Sequence, residues 1–113
     1  MMKFQFQVTR GDIERYADVS HDRNPIHLNE ASAKAAGFSG EIAHGMLTMA
    51  KMVSIVVNEC LEPHQFMQSY EFTFLAPVYV DDFVTVQVVP KGKEYRVSGI
   101  CRGELVVRGI VVG

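Results

Sequence analysis

The sequence carries almost no surplus of charge. Eleven Lys and Arg stand against 13 Asp and Glu, a formal net charge of −2 over 113 residues. Proteins that neutralise phosphate backbones need a basic excess, so no nucleic-acid partner is expected. Cysteine is scarce as well. Cys60 and Cys101 have no metal-ligand spacing and read as two free thiols in a reduced compartment. A long unbroken apolar run is missing. The longest candidate, residues 43–61, is interrupted by His44, Lys51, Asn58 and Glu59, which makes a poor membrane span and a good buried helix. Residues 1–8 alternate Phe with Gln and do not read as a signal peptide. The expectation is a cytoplasmic protein with no membrane partner. Repeats, low-complexity tracts and linkers are also absent, so residues 1–113 read as one domain.

What is present is ordinary for a globular chain: 48% hydrophobic and 21% charged residues. A domain of this size buries roughly two-thirds of the surface its unfolded chain exposes, enough for a real core. Phe4, Phe6 and Val8 alternate with Gln5 and Gln7, the period of a strand with one buried face. Thr9 and Asp12 are spaced as a helix N-cap and its third residue, and Ile13, Tyr16, Ala17 and Val19 supply an apolar face. Pro25 ends any helix here, because the residue before a proline is pushed out of the α region. A short helix over about 30–36 follows, with Gly37 as its stop.

His44-Gly45 opens a helix predicted to run to about Cys60. Apolar residues occupy most of its sides, and Thr48, Lys51, Ser54 and Asn58 form one narrow polar stripe. Such a helix is buried over most of its circumference. After Pro63 the pattern is β to the end. Tyr70, Phe72 and Phe74 alternate with polar residues, as do Val84, Val86 and Val88; residues 94–101 and 104–112 are two more strands, with turn residues between. One strand, short helices, one buried helix and then a run of strands indicate an α+β antiparallel sheet. A sheet curled around one central helix satisfies that order, and this is the hot-dog architecture. It leaves an apolar edge or face, so a dimer is expected.

The densest cluster of chemically able side chains is Ser20-His21-Asp22-Arg23-Asn24-Pro25-Ile26-His27. On a continuous helix Asp22 and His27 would point about 140° apart. The break at Pro25 lets them converge, and a carboxylate and an imidazole sharing one water can move protons near neutral pH. On the residues alone a second reading stands beside this one: Asp22 as a turn-former bonding its own backbone, His27 as a partly buried histidine. The second candidate is His44-Gly45-Met46. Glycine at a helix start admits close approach to the backbone, and the free N–H groups there stabilise negative oxygen. Chemistry alpha to a thioester carbonyl needs that. A helix start that merely requires a small residue explains the segment equally well. His21 and His64 have no arguable partner, and Asp81-Asp82 with Pro77 read as turn chemistry.

Together these residues resemble the MaoC-like family, the hydratase 2 or (R)-specific enoyl-CoA hydratases, over nearly the whole chain. The family pattern S-G-D-x-N-P-(I/L)-H appears as Ser20 to His27, and (I/V)-x-H-G-M as Ile42 to Met46. Phe74-Leu75-Ala76-Pro77-Val78 with Asp81-Asp82 looks like its F-x-x-P-V…G-D stretch. The resemblance implies reversible hydration of a trans-2-enoyl thioester to an (R)-3-hydroxyacyl thioester. It implies Asp22 and His27 as the catalytic pair, with Asp22 as base and His27 as partner. Asn24 would orient the pair, and His44, Gly45 and Met46 would bind and orient the substrate, with a backbone N–H near Gly45 taking the thioester oxygen. No metal and no cofactor are implied; coenzyme A or an acyl-carrier arm arrives with the substrate.

Two departures stand out. His21 replaces the glycine before the aspartate. Val53 falls where some members place a serine on the central helix, and the neighbouring Ser54 points about 100° away. Two other readings remain. A hot-dog thioesterase puts a carboxylate on or beside the central helix, where this chain has no acidic residue before Glu59. A non-catalytic acyl-thioester-binding subunit is the other, left open by His21 and the short length.

Overall fold

A computed structural model describes residues 1–113. Strand β1 (Met2–Gln7) opens the chain, and Thr9 turns it into helix α1 (Arg10–Ser20) through a full capping box with Asp12. Two short helices follow, α2 (Pro25–Leu28) and α3 (Glu30–Ala35), then the long α4 (Gly45–Ile55), which ends in a π-helical turn over Val56–Cys60. Four strands complete the chain: β2 (Ser69–Phe74), β3 (Phe83–Lys91), β4 (Glu94–Cys101) and β5 (Glu104–Val112). They form one antiparallel sheet with β1 in the order β1-β3-β4-β5-β2. This curved five-stranded sheet with its central helix is the hot-dog fold.

The alternation seen in the sequence sets which face is buried. Val84, Val86 and Val88 of β3 are fully buried, and Phe4 and Phe6 pair with Val86 and Val84. In β4 and β5 the register shifts at Gly99/Ile100, so Val106 and Val107 are both buried although consecutive. The hairpin between these strands turns at Arg102 and Gly103, both at positive φ, which matches the twist of paired strands. Met52 of α4 lies against Gly99, where a Cβ would meet Val107 Cγ1 at 2.6 Å and Met52 Cε at 3.3 Å. The helix sits that low on the sheet because glycine leaves the room. Lys51 Nζ lies 3.2 Å from Asp12 Oδ2 and ties α4 to α1.

Three local expectations need correction. Pro25 does not only end a helix: it starts α2, with Asn24 Oδ1 accepting the Ile26 N–H as N-cap. Proline suits a first helical position, where the missing N–H would be unpaired anyway. Helix α1 ends earlier, at His21, whose φ of 63° is left-handed. The polar stripe of α4 is also not all solvent-facing. Thr48 is buried, while Ser54 and Asn58 are exposed. Nor is α4 covered on most sides: Met46 is 51% and Val57 39% exposed, with Ala50 exposed between them. Spacings of four, three and four residues put Met46, Ala50, Val53 and Val57 on one uncovered apolar stripe. Cys60 and Cys101 are both free, and no helix is long and apolar enough to cross a membrane.

Candidate active site

The left-handed residue His21 reverses the chain after α1 and delivers Asp22 to the mouth of the site. Asp22 is exposed. Its Oδ1 accepts the Asn24 N–H at 3.3 Å, so the turn-forming role is real, and its second oxygen makes no hydrogen bond. Asn24 therefore acts twice, capping α2 with its side chain and steadying Asp22 with its main chain. His27, one turn into α2, is buried. Its Nδ1 lies 2.8 Å from the Ile42 carbonyl oxygen, which can only accept. That bond places the ring proton on Nδ1 and leaves Nε2 with its lone pair.

His44 caps nothing with its side chain at the start of α4. Its ring instead stacks on His27 with centroids 3.8 Å apart and planes 25° apart. His44 Nε2 donates to the Asp22 carbonyl oxygen at 2.9 Å, which pins the Asp22 loop to the helix start. Tyr16 packs on the other side of His44, with centroids 4.8 Å apart. Two buried polar atoms have no partner: His44 Nδ1 and Thr48 Oγ1, each on a residue only 2% exposed. Tyr16 and Thr48 carried no signal in the sequence beyond an apolar face and a polar stripe.

Asp22, His27 and His44 each place one ligating atom within 4.8 Å of the others. One water with two hydrogen bonds of about 2.8 Å spans such a distance. A metal suits the set poorly: two near-parallel stacked rings aim their lone pairs side by side, not at one point, and each ring already gives one nitrogen to a carbonyl. Burial holds the His27 pKa below its ordinary 6.5, and the neighbouring His44 adds to this against the opposing pull of the Ile42 bond and Asp22. The imidazole is therefore neutral at pH 7.

Beside these groups lies a pocket of about 310 Å³, lined largely by apolar residues, among them Phe38, Ile42, Ala43, Phe74 and Val78. Gly45 and Thr48 of α4 complete its wall. No side chain caps α4: the Leu47 and Thr48 N–H groups donate to the His44 carbonyl oxygen, and the Gly45 N–H at the pocket wall has no protein acceptor. A Cβ on Gly45 would lie 3.3 Å from the Phe74 ring and crowd the wall. Met46 does not line the pocket; it belongs to the exposed stripe. The structure thus brings Asp22, Asn24, His27, His44 and Gly45 together and leaves Met46 outside.

The chain is similar to known proteins over most of its length. The chain is 30% identical over 100 residues to a 3-hydroxybutyryl-CoA dehydratase of Methylorubrum extorquens, covering 84% of this chain and spanning only 64% of that one. It is 31% identical over 109 residues to an (R)-specific enoyl-CoA hydratase of Rhodospirillum rubrum, covering 90% of this chain and 76% of the relative. The solved (R)-hydratase of A. caviae superposes with a TM-score of 0.85 at 25% identity, covering 98% of this chain and 90% of that one. The family model for the MaoC like domain matches residues 2–107, and the chain belongs to that family.

Proposed function

We propose that this protein interconverts trans-2-enoyl thioesters and (R)-3-hydroxyacyl thioesters, of coenzyme A or an acyl-carrier protein, by adding or removing water. The observation that carries this reading is the placement of Asp22 and His27. They lie within one water's reach, beside an apolar pocket walled by an uncapped helix start. The acyl chain occupies the pocket, and its carbonyl oxygen faces the N–H of Gly45. His27 Nε2 accepts one hydrogen of the water. Asp22 removes the other proton as the water oxygen bonds C3. Negative charge gathers on the thioester oxygen, where the N–H and the helix dipole stabilise it. A proton returns from the pair to C2, so Asp22 and His27 end as they began and no cofactor is consumed.

We further propose a homodimer whose active sites lie near the interface. The uncovered stripe of α4 and the neighbouring β2 line one groove of about 390 Å³ with Val53, Val57, Met67 and Tyr70, an apolar surface that a second copy covers.

Crotonyl-CoA is the direct test. Loss of enoyl absorbance without release of free thiol is the expected result. Thiol release would make the protein a thioesterase, and neither signal would leave a non-catalytic binder.

A further inference from the structure

The loop between α3 and α4 has no helix or strand, yet it must hold the histidine of the pair. Its backbone is clamped from both sides. Val80 N–H donates to the Glu41 carbonyl oxygen at 3.0 Å and Ala43 N–H to that of Val78 at 2.7 Å. On the opposite side Ile42 N–H donates to Ile26 O at 3.2 Å, and Ile42 O accepts from His27 Nδ1. Ile42 alone therefore holds α2 by both of its main-chain groups. What fixes Ile42 in turn is less obvious, because its bridge to Tyr79 is isolated and extends into no strand.

The answer lies one residue upstream. The Glu41 side chain is only 9% exposed and carries a charge, a combination that survives only when the charge is paired. Its partner is Arg10, the first residue of α1. Arg10 Nη1 bonds Glu41 Oε2, and Nη2 bonds Oε1 at 3.1 Å, a two-pronged fork that fixes direction as well as distance. Arg10 stands on rigid ground. Thr9 caps its helix, Ile13 and Ala17 seat that helix in the core, and Val8 before it exchanges main-chain bonds with Asp81 and Asp82. The other charges near the fork are Glu14 and Asp81, both of which favour the charged guanidinium.

We propose that the Arg10–Glu41 ion pair is a positioning device for His27: it anchors residue 41 to the start of α1, and so fixes the Ile42 carbonyl that selects the Nδ1–H tautomer. This deepens the hydratase reading and rests on it for its catalytic meaning. The structural claim stands separately, because tautomer and hydrogen bond are observable without turnover. Neither residue touches substrate. Each acts through Ile42. The groups facing the His27 ring are Asp22, on its own loop, and His44, from α4.

Two readouts test it on the full chain. Imidazole nitrogen–proton spectra of the wild type should show His27 as the Nδ1–H tautomer with a slowly exchanging proton. The isosteric Glu41→Gln, which keeps shape and loses charge, should speed that exchange by about tenfold, the scale of a lost charge-assisted hydrogen bond. With crotonyl-CoA the same variant should lower kcat by about tenfold and leave KM within about twofold, the pattern of an interaction needed in the transition state only. Arg10→Met should do the same, and the double variant should be no worse than either single, because the two act as one unit. Lys34→Ala, which breaks the exposed pair with Glu30, should change nothing. Folded Glu41→Gln protein with unaltered exchange would overturn the proposal, as would fully additive losses in the double variant. Should the wild type hydrate no enoyl thioester, the hydratase reading fails, and the exchange measurement still decides the positioning claim.

Discussion

At the scale of single residues, the proposed chemistry depends on which nitrogen of His27 carries a proton. Asp22→Asn and His27→Ala should each lower kcat by on the order of a hundredfold or more while leaving the fold intact, measured by enoyl hydration alongside circular dichroism. Because burial depresses the His27 pKa, the acid limb of kcat/KM should fall below pH 6.5. The linked stability follows the same sign. It is fully present above the unfolded value and is lost as pH falls through the lower folded one. His21 carries a different cost. Its φ of 63° is strained for a side chain with a Cβ, and the related pattern has glycine there. His21→Gly should raise stability by about 1 kcal/mol, read as a shift in the urea midpoint at constant slope. The convergence of Asp22 and His27 was legible because their motif is local, eight residues from Ser20 to His27. The Arg10–Glu41 pair was not. Its members lie 31 residues apart, and only the packing of α1 beside the loop brings them together.

At the scale of elements, periodicity carried the strands and the capping box. Residues 94–101 and 104–112 were read at their observed bounds, because alternation and tight turns are both local signals. Helix α2 was missed, since a proline marks a helix start as readily as a helix end. The π turn after Ile55 left no mark in an apolar run. Strand order was also invisible: β2 precedes β3 in the chain yet joins the far edge, beside β5. The seating of α4 on the sheet rests on Gly99. A side chain there collides with Val107 and with Met52, both in the packed core. Gly99→Val should destabilise by about 1–3 kcal/mol, the usual cost of overpacking, and thermal unfolding against wild type would measure it.

At the scale of the whole molecule, the single chain is a thin slab, 45 × 30 × 19 Å, with a radius of gyration of 14.6 Å. A compact chain of this length is expected nearer 13 Å. One layer of helix lies on one layer of sheet, and part of the helix has nothing above it. Exposed Tyr70 and Phe74 extend the apolar stripe onto β2, whose outer edge is unpaired. Light scattering at micromolar concentration should therefore give about twice the chain mass of 12.6 kDa. A monomer that turns over at full rate would show the site to be complete in one chain. The bare stripe of Met46, Ala50, Val53 and Val57 has one more consequence. Cohesion that resides between two copies obeys mass action, so dilution alone becomes a denaturing agent. Melting temperature should climb with protein concentration, and specific activity should sag in the most dilute assays, where each helix is left facing water by itself.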